Sequence, residues 1–283
     1  MMRVLSDDEL HGLLREDAPY GDLTTRALDL PQGGEARMHF TARYPMTACG
    51  LEEAARLLEL LGCTVTLQAQ SGDAVPADTA LLQARGPGEA LLLGWKITQT
   101  LVEWASGIST AAARITRAAR EADPGALVAC TRKNVPGTRA LSLKAITAGG
   151  AEIHRTGLSD TVLLFPEHLR VAGAGASLRG AIRRLRERCP ERRVVVEVDA
   201  HDEALEAADA GADVLQAEKF PLADLARLAD ELTRFTGVRL AAAGGIHADN
   251  AADHIRAGAR ILVTSAPYTA PPRDVSVGFE PLA

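Results

Sequence analysis

Between positions 131 and 160 the chain reads Thr131-Arg132-Lys133-Asn134-Val135-Pro136-Gly137-Thr138-Arg139, then a helical run, then Gly149-Gly150-Ala151-Glu152-Ile153-His154-Arg155-Thr156-Gly157-Leu158-Ser159-Asp160. Two basic clusters, Arg132-Lys133-Arg139 and His154-Arg155, therefore lie one helix apart. The apolar run just before Arg132 has the length of a buried strand. In alternating strand–helix proteins the C-terminal strand ends face the ligand. Arginine offers a carboxylate or phosphate a planar fork, and lysine offers a point charge. Basic groups gathered at such a mouth suit an anionic ligand, the alternative being a solvated basic loop. Lys144, on the intervening helix, is a lesser candidate. Pro136-Gly137 closes the loop, and Thr138 is placed to cap the next helix.

Two further sets of residues fit the same mouth. Glu197 and Glu218 stand near the ends of successive apolar runs. Carboxylates there suit a hard cation such as Mg²⁺, held through one or two carboxylates and substrate oxygens; ion pairing with local Arg or Lys is the alternative. Gly244-Gly245 and Thr264-Ser265-Ala266 follow the last two apolar runs. Backbone N–H groups in such loops cradle phosphate, and barrels commonly place a phosphate there. For the glycine pair alone, a tight turn is the alternative.

These residues also carry a family resemblance. Thr131-Arg132-Lys133-x-x-Pro136-Gly137-x-Arg139, Gly149-Gly150 and His154-Arg155-x-Gly157-Leu158-Ser159-Asp160 resemble the core of the quinolinate phosphoribosyltransferase, or nicotinate-nucleotide pyrophosphorylase, family. The resemblance runs from Glu16-Asp17 and Gly21-Asp22-Leu23-Thr24-Thr25 to Ser265-Ala266-Pro267-Tyr268, and it is strongest to the side branch linked to molybdate-transport operons, the ModD proteins. It implies transfer of phosphoribose from phosphoribosyl pyrophosphate, with Mg²⁺, to a heteroaromatic and acidic base, releasing pyrophosphate. It assigns Lys133, Glu197 and Glu218 to the chemistry, the two acids also to metal and ribose. Lys96, Arg132, Lys133, Arg139, His154, Arg155 and Phe165 fall at substrate-binding positions, His154 for contact rather than proton transfer. Gly244, Gly245, Ser265 and Ala266 fall at the 5′-phosphate. It further implies a homodimer in which Lys96, at the place of a family arginine, enters the partner's site.

Two positions depart from the family's pattern, the first bearing on the contact of an acid and the second on the substrate. Glu218 is one methylene longer than the usual Asp. Phe165 stands where the quinolinate enzymes have a Lys that contacts the substrate's acid groups. A hydrogen bond to a charged group contributes roughly 1.5–3 kcal/mol, so its loss weakens a dicarboxylate by about ten- to a hundredfold or more. Phe165 is either core packing or a stacking wall for a less anionic ring. The rival readings are a true quinolinate phosphoribosyltransferase and a non-catalytic anion-binding or regulatory protein linked to molybdate uptake.

The elements that must hold these groups are read from periodicity. Ser6-Asp7-Asp8-Glu9 is a capping box that opens a helix to about Glu16, and 21–25 reads as a polar loop. Residues 35–42 alternate polar and apolar, as a half-buried strand does. A helix is predicted over 51–61, strands over 64–69 and 79–84, a long apolar helix over 89–106 and a second helix over 108–121. Lys96, Gln99 and Glu103 share one face of the long helix. Six short strands near 127–131, 161–165, 193–198, 213–217, 238–243 and 260–264 then alternate with helices, for example over 178–188 and 222–235. That rhythm requires parallel strands joined by crossovers. The predicted fold is a small, sandwich-like α+β domain (1–106, joined by the tail 271–283) plus a complete or incomplete α/β barrel (107–270).

Composition sets outer bounds. The chain has 283 residues, 47% hydrophobic and 24% charged, with net charge −6, ordinary for a folded protein. An acidic balance argues against a nucleic-acid binder, which shows a basic stripe. No apolar run of membrane-spanning length and no signal-peptide pattern is present, so a cytoplasmic location is expected. Cys49, Cys63, Cys130 and Cys189 are scattered, which suits free thiols rather than zinc or disulfides.

Overall fold

The structure, a computed structural model, describes residues 1–28 and 34–282. Its strands are β1 (Glu35–Ala42), β2 (Met46–Thr47), β3 (Thr64–Leu67), β4 (Ala74–Val75), β5 (Ala80–Pro87), β6 (Leu127–Cys130), β7 (Glu152–Ile153), β8 (Val162–Leu164), β9 (Val194–Val198), β10 (Val214–Glu218), β11 (Arg239–Ala243), β12 (Ile261–Thr264) and β13 (Val275–Pro281). The chain divides into two compact units, one of Met1–Ala113, Asn134–Gly150 and Pro267–Ala283, the other of Arg114–Lys133 and Ala151–Ala266.

The first unit is built on a four-stranded antiparallel sheet in the order β13-β1-β5-β3. Met38, Phe40 and Ala42 of β1 are fully buried, because a strand turns alternate residues to one face. Leu51, Ala54 and Leu58 of the helix Leu51–Leu60 join the same core. Each of the large side chains contributes roughly 1.5–3 kcal/mol by leaving water. The tail expected as a strand is β13, paired with β1 from Ala36↔Pro281 to Ala42↔Val275.

Three expectations change here. The two helices predicted over 89–106 and 108–121 are one helix, Gly88–Ala122. Gly107 does not break it; a Cβ there would lie 2.5 Å from the Pro271 carbonyl oxygen, so this glycine serves close packing rather than a turn. The polar loop at 21–25 contains a short helix, Leu23–Ala27, whose first turn is capped by Asp22 accepting from the Thr24 N–H at 3.0 Å. Thr138 precedes the helix Arg139–Ala148 but makes no side-chain cap; its hydroxyl donates to the Val135 carbonyl instead.

Lys144 has its place in this unit too. It lies on Arg139–Ala148, with its side chain wholly buried, and Nζ donates to Glu52 Oε2 at 2.8 Å and Glu53 Oε2 at 2.6 Å. Glu52 also accepts from the Ser71 N–H and hydroxyl, and Glu53 from the Val4 N–H. Lys144 is a structural cation of the first unit.

The second unit is a seven-stranded parallel sheet in the order β7-β6-β12-β11-β10-β9-β8. It curls as an incomplete α/β barrel, with β7 and β8 as its two ends. Sequence periodicity leaves β7 unseen because it is only two residues long. Val214, Ala241, Ala243 and Val263 pack inside the curl with Val195 and Ile261. Helices Leu178–Arg188 and His201–Asp209 lie among its crossovers, and the helix expected over 222–235 is Leu222–Glu231 followed by a 3-10 turn, Leu232–Arg234.

Candidate active site

A cavity of about 690 Å³ opens at the C-terminal ends of the second unit's strands. All seven strands feed it: Arg132 and Lys133 after β6, His154 and Arg155 after β7, Phe165 after β8, Glu197 on β9, Gln216 and Glu218 on β10, Gly244 and Gly245 after β11, and Ser265 and Ala266 after β12. Eleven sequence-predicted positions are thereby brought together. The reason is the parallel sheet itself, in which every strand delivers its last residues to one rim.

Lys96 and Arg139 are not among the residues lining the cavity; both belong to the first unit. Lys96 is exposed, donates to Gln99 Oε1 at 2.9 Å and sits 4.1 Å from the Trp95 ring centroid. Gln99 donates to the Val275 carbonyl, and Glu103 accepts from the Val275 N–H. Much of the predicted polar stripe thus anchors β13.

The electrostatics divide the rim into acidic and basic parts. Burial pushes the Glu197 carboxyl up, and the neighbouring Glu218 charge adds to that. Gln216 opposes it by donating from Nε2 to Glu197 Oε2 at 2.6 Å. Arg155, which lines the same cavity, is 8% exposed and is held below its usual value by burial and by the Arg132 charge. Burial, then the Arg155 charge, pushes His154 down, against a smaller upward push from Gln216. The Arg155 guanidinium carbon lies 5.5 Å from the Phe165 ring centroid, and Phe165 stacks on His168 at 5.8 Å with 14° between planes. Phe165 therefore lines the cavity, with Arg155 and His168 against its ring.

The phosphate-type loop is tightly constructed. Gly244 has φ 87°, and a Cβ there would meet Lys219 Cγ at 2.5 Å and Glu218 Oε1 at 2.8 Å. Only glycine allows both the backbone and that approach. Thr264 Oγ1 donates to the Ile246 carbonyl and accepts from the Ala266 N–H, tying the two loops together.

Thr131, Leu163, Gln216, Lys219 and His247 also line the cavity, and sequence reasoning missed them as site residues. Gln216 carried a usable signal: it lies two residues before Glu218 on a strand, hence on the same face. Lys219 adopts φ 56°, a left-handed conformation that no local sequence feature announces.

Among the described residues, no cluster of three or more His, Cys, Asp or Glu is shaped for a metal, and no helix is long and apolar enough to cross a membrane. The four cysteines are free thiols; burial pushes Cys49 and Cys130 up to about 12.

Comparison with known proteins agrees with this architecture. The model of the quinolinate phosphoribosyl transferase C-terminal domain matches residues 108–278, and that of its N-terminal domain matches 22–106. A Rhodobacter capsulatus protein named pyrophosphorylase ModD is 54% identical over 92% of this chain and 99% of its own length. An Escherichia coli O127:H6 protein of the same name is 38% identical over 100% of this chain and 99% of its own. The crystal structure of NadC from Streptococcus pyogenes superposes with a TM-score of 0.89 at 26% identity, covering 100% of both chains. With matching models over both halves and a shared fold, the chain belongs to the quinolinate phosphoribosyl transferase family.

Proposed function

We propose that this member transfers the phosphoribosyl group of phosphoribosyl pyrophosphate to a ring nitrogen of a heteroaromatic acid, releasing pyrophosphate. The observation that carries this reading is the gathering, in one cavity, of the Gly244-Gly245 loop, the Glu197–Glu218 pair and the cations Arg132, Lys133 and Arg155. The sugar 5′-phosphate rests on the backbone of Gly244, Gly245, Ser265 and Ala266. Glu197 and Glu218 meet the ribose, where their negative charge favours an oxocarbenium-like C1. The C1–oxygen bond breaks with its electron pair leaving on pyrophosphate, whose growing charge Lys133 balances. The ring-nitrogen lone pair then closes the new bond to C1. His154 and Arg155 hold the acceptor against Phe165.

The acid pair also fits a divalent cation. Burial and the neighbouring Glu218 charge raise the proton affinity of Glu197, Glu218 is paired with the exposed Lys219 Nζ at 3.9 Å, and Mg²⁺ is commonly held by one or two carboxylates completed by substrate oxygens. Glu197 and Glu218 would hold it, and when bound it supplies charge neutralisation to the diphosphate. A cytoplasmic homodimer, with Lys96 of each protomer entering the site of the other, completes the proposal.

The test is a screen of heteroaromatic acids with phosphoribosyl pyrophosphate and Mg²⁺, read by pyrophosphate release and mass spectrometry. Acceptor-dependent release is expected. Tight binding of phosphoribosyl pyrophosphate without release from any acid would favour the non-catalytic anion-binding alternative.

A further inference from the structure

We infer that Gln216 makes the acceptor a ring acid bearing an N–H or O–H donor, and disfavours a simple dicarboxylate. This rests on the phosphoribosyl-transfer reading and concerns the acceptor end of the same cavity. Gln216 is 4% exposed and lines the cavity. Its Nε2 donates to Glu197 Oε2 at 2.6 Å, which fixes the amide, since the flipped form would set oxygen against a carboxylate. The other end, Oε1, is buried and has no hydrogen-bond partner. The Gln216 side chain also bears on His154, favouring its protonated form, while Oε1 has no partner within hydrogen-bonding geometry.

On the basic side the requirement is the reverse. The Arg132 Nε–H is a buried donor, also without a partner, beside the buried cation Arg155. Phe165, stacked on His168 and in contact with Arg155, adds an aromatic ring to the lining. The cavity therefore holds an unmet acceptor, an unmet donor with a cation, and an aromatic ring. One carboxylate satisfies the arginine side. A second carboxylate would turn lone pairs toward the Gln216 carbonyl, whereas a carboxamide, ring hydroxyl, amino group or lactam N–H would donate to it. Leaving a buried acceptor unpaired costs roughly ten- to a hundredfold in binding, and sites built around a polar contact reject analogues that lack it.

Matched acceptors test this. Pyrophosphate release would be measured with quinolinate, its mono-amides, nicotinate and a hydroxylated nicotinate, alongside calorimetric binding of the same acids to the intact protein. The wild type should favour a donor-bearing acid over its donor-free partner by roughly ten- to a hundredfold in kcat/KM and in affinity. Gln216→Met, apolar and close in size, should flatten that ratio mainly by losing the donor-bearing acids. Equal use of quinolinate and its mono-amides by the wild type would overturn the inference, and this comparison needs no variant. A preference that survives Gln216→Met would overturn it too. If no acid supports release, the transferase reading fails, while the calorimetric ratio still decides the role of Gln216.

Discussion

Replacing Lys144 by Met should destabilise the first unit through charge, not shape, and pH separates the two. Lys144 Nζ sits 2.8 Å from Glu52 and 2.6 Å from Glu53, with the Lys144 and Glu53 side chains fully buried and Glu52 14% exposed. Removing one partner of a buried ion pair typically costs about 3–5 kcal/mol, because the charge left behind has no partner. Burial works to raise the Glu52 carboxyl, but hydrogen bonds from Lys144 and Ser71 overcome it and hold the group at about 2 against an ordinary 4.5. That depression corresponds to about 3 kcal/mol. A depressed carboxyl stabilises the fold above its unfolded value and loses that contribution as pH falls through its folded value. Wild-type stability should therefore hold above pH 4.5 and decline toward about 2. Thermal melts of wild type and Lys144→Met across that window form the assay. Near neutral pH the variant should melt about 10 °C lower. The gap should narrow on acidification, because a protonated Glu52 no longer needs the ammonium. A gap of constant size down to pH 3 (about the middle of the transition) would refute the electrostatic explanation and leave packing as the cause.

Other outcomes are expected from the cavity. Lys219→Gly should raise stability by about 1 kcal/mol by relieving its left-handed backbone, seen as a higher melting temperature; an unchanged or lower one would show that the conformation carries no strain. Gly244→Ala should abolish stabilisation by phosphoribosyl pyrophosphate, about 2.7 kcal/mol at 100 times Kd in the wild type, because the methyl collides with Lys219 and Glu218; a full thermal shift in the variant would contradict the phosphate loop. Phe165→Lys should improve turnover of quinolinate by about tenfold or more, and steady-state kinetics showing no gain would count against the aromatic wall. Lys96→Ala and Lys133→Ala should each be inactive, and mixing them should restore part of the activity through dimers holding one intact site. Mixed dimers that form but stay inactive would exclude a shared site.

Much of the fold and of the cavity was legible in the sequence because the signals were local. Period-two alternation locates β1 residue for residue, and the run of apolar tetrads and pentads separated by helices leads to the parallel half-barrel. Once strands are parallel, the residues just past each strand must share a rim, so Arg132, Glu197 and Gly244 could be grouped from the sequence, whereas His154 follows β7, a strand too short for periodicity to show. The rest depended on long-range packing. Gly107 reads as a helix break until the Pro271 carbonyl is placed against it. Lys144 reads as a site cation until Glu52 and Glu53, more than ninety residues earlier, enclose it. Gln216 looks like an unremarkable strand residue until its amide is seen bound to Glu197 with the carbonyl left over.

The partnership of β1 with β13 also bears on how the chain comes to be folded. β1 lies early in the sequence and its outer neighbour in the last stretch, paired from Ala36↔Pro281 onward. During synthesis β1 can find β5 early, but its other edge must wait until Val275–Pro281 has been made. Every strand of the half-barrel leaves the ribosome before that edge can close. An unpaired edge of this kind invites pairing with other chains, and contacts so distant in sequence form slowly. Chains truncated before Val275 should therefore be prone to aggregate through β1, even with every residue lining the cavity present.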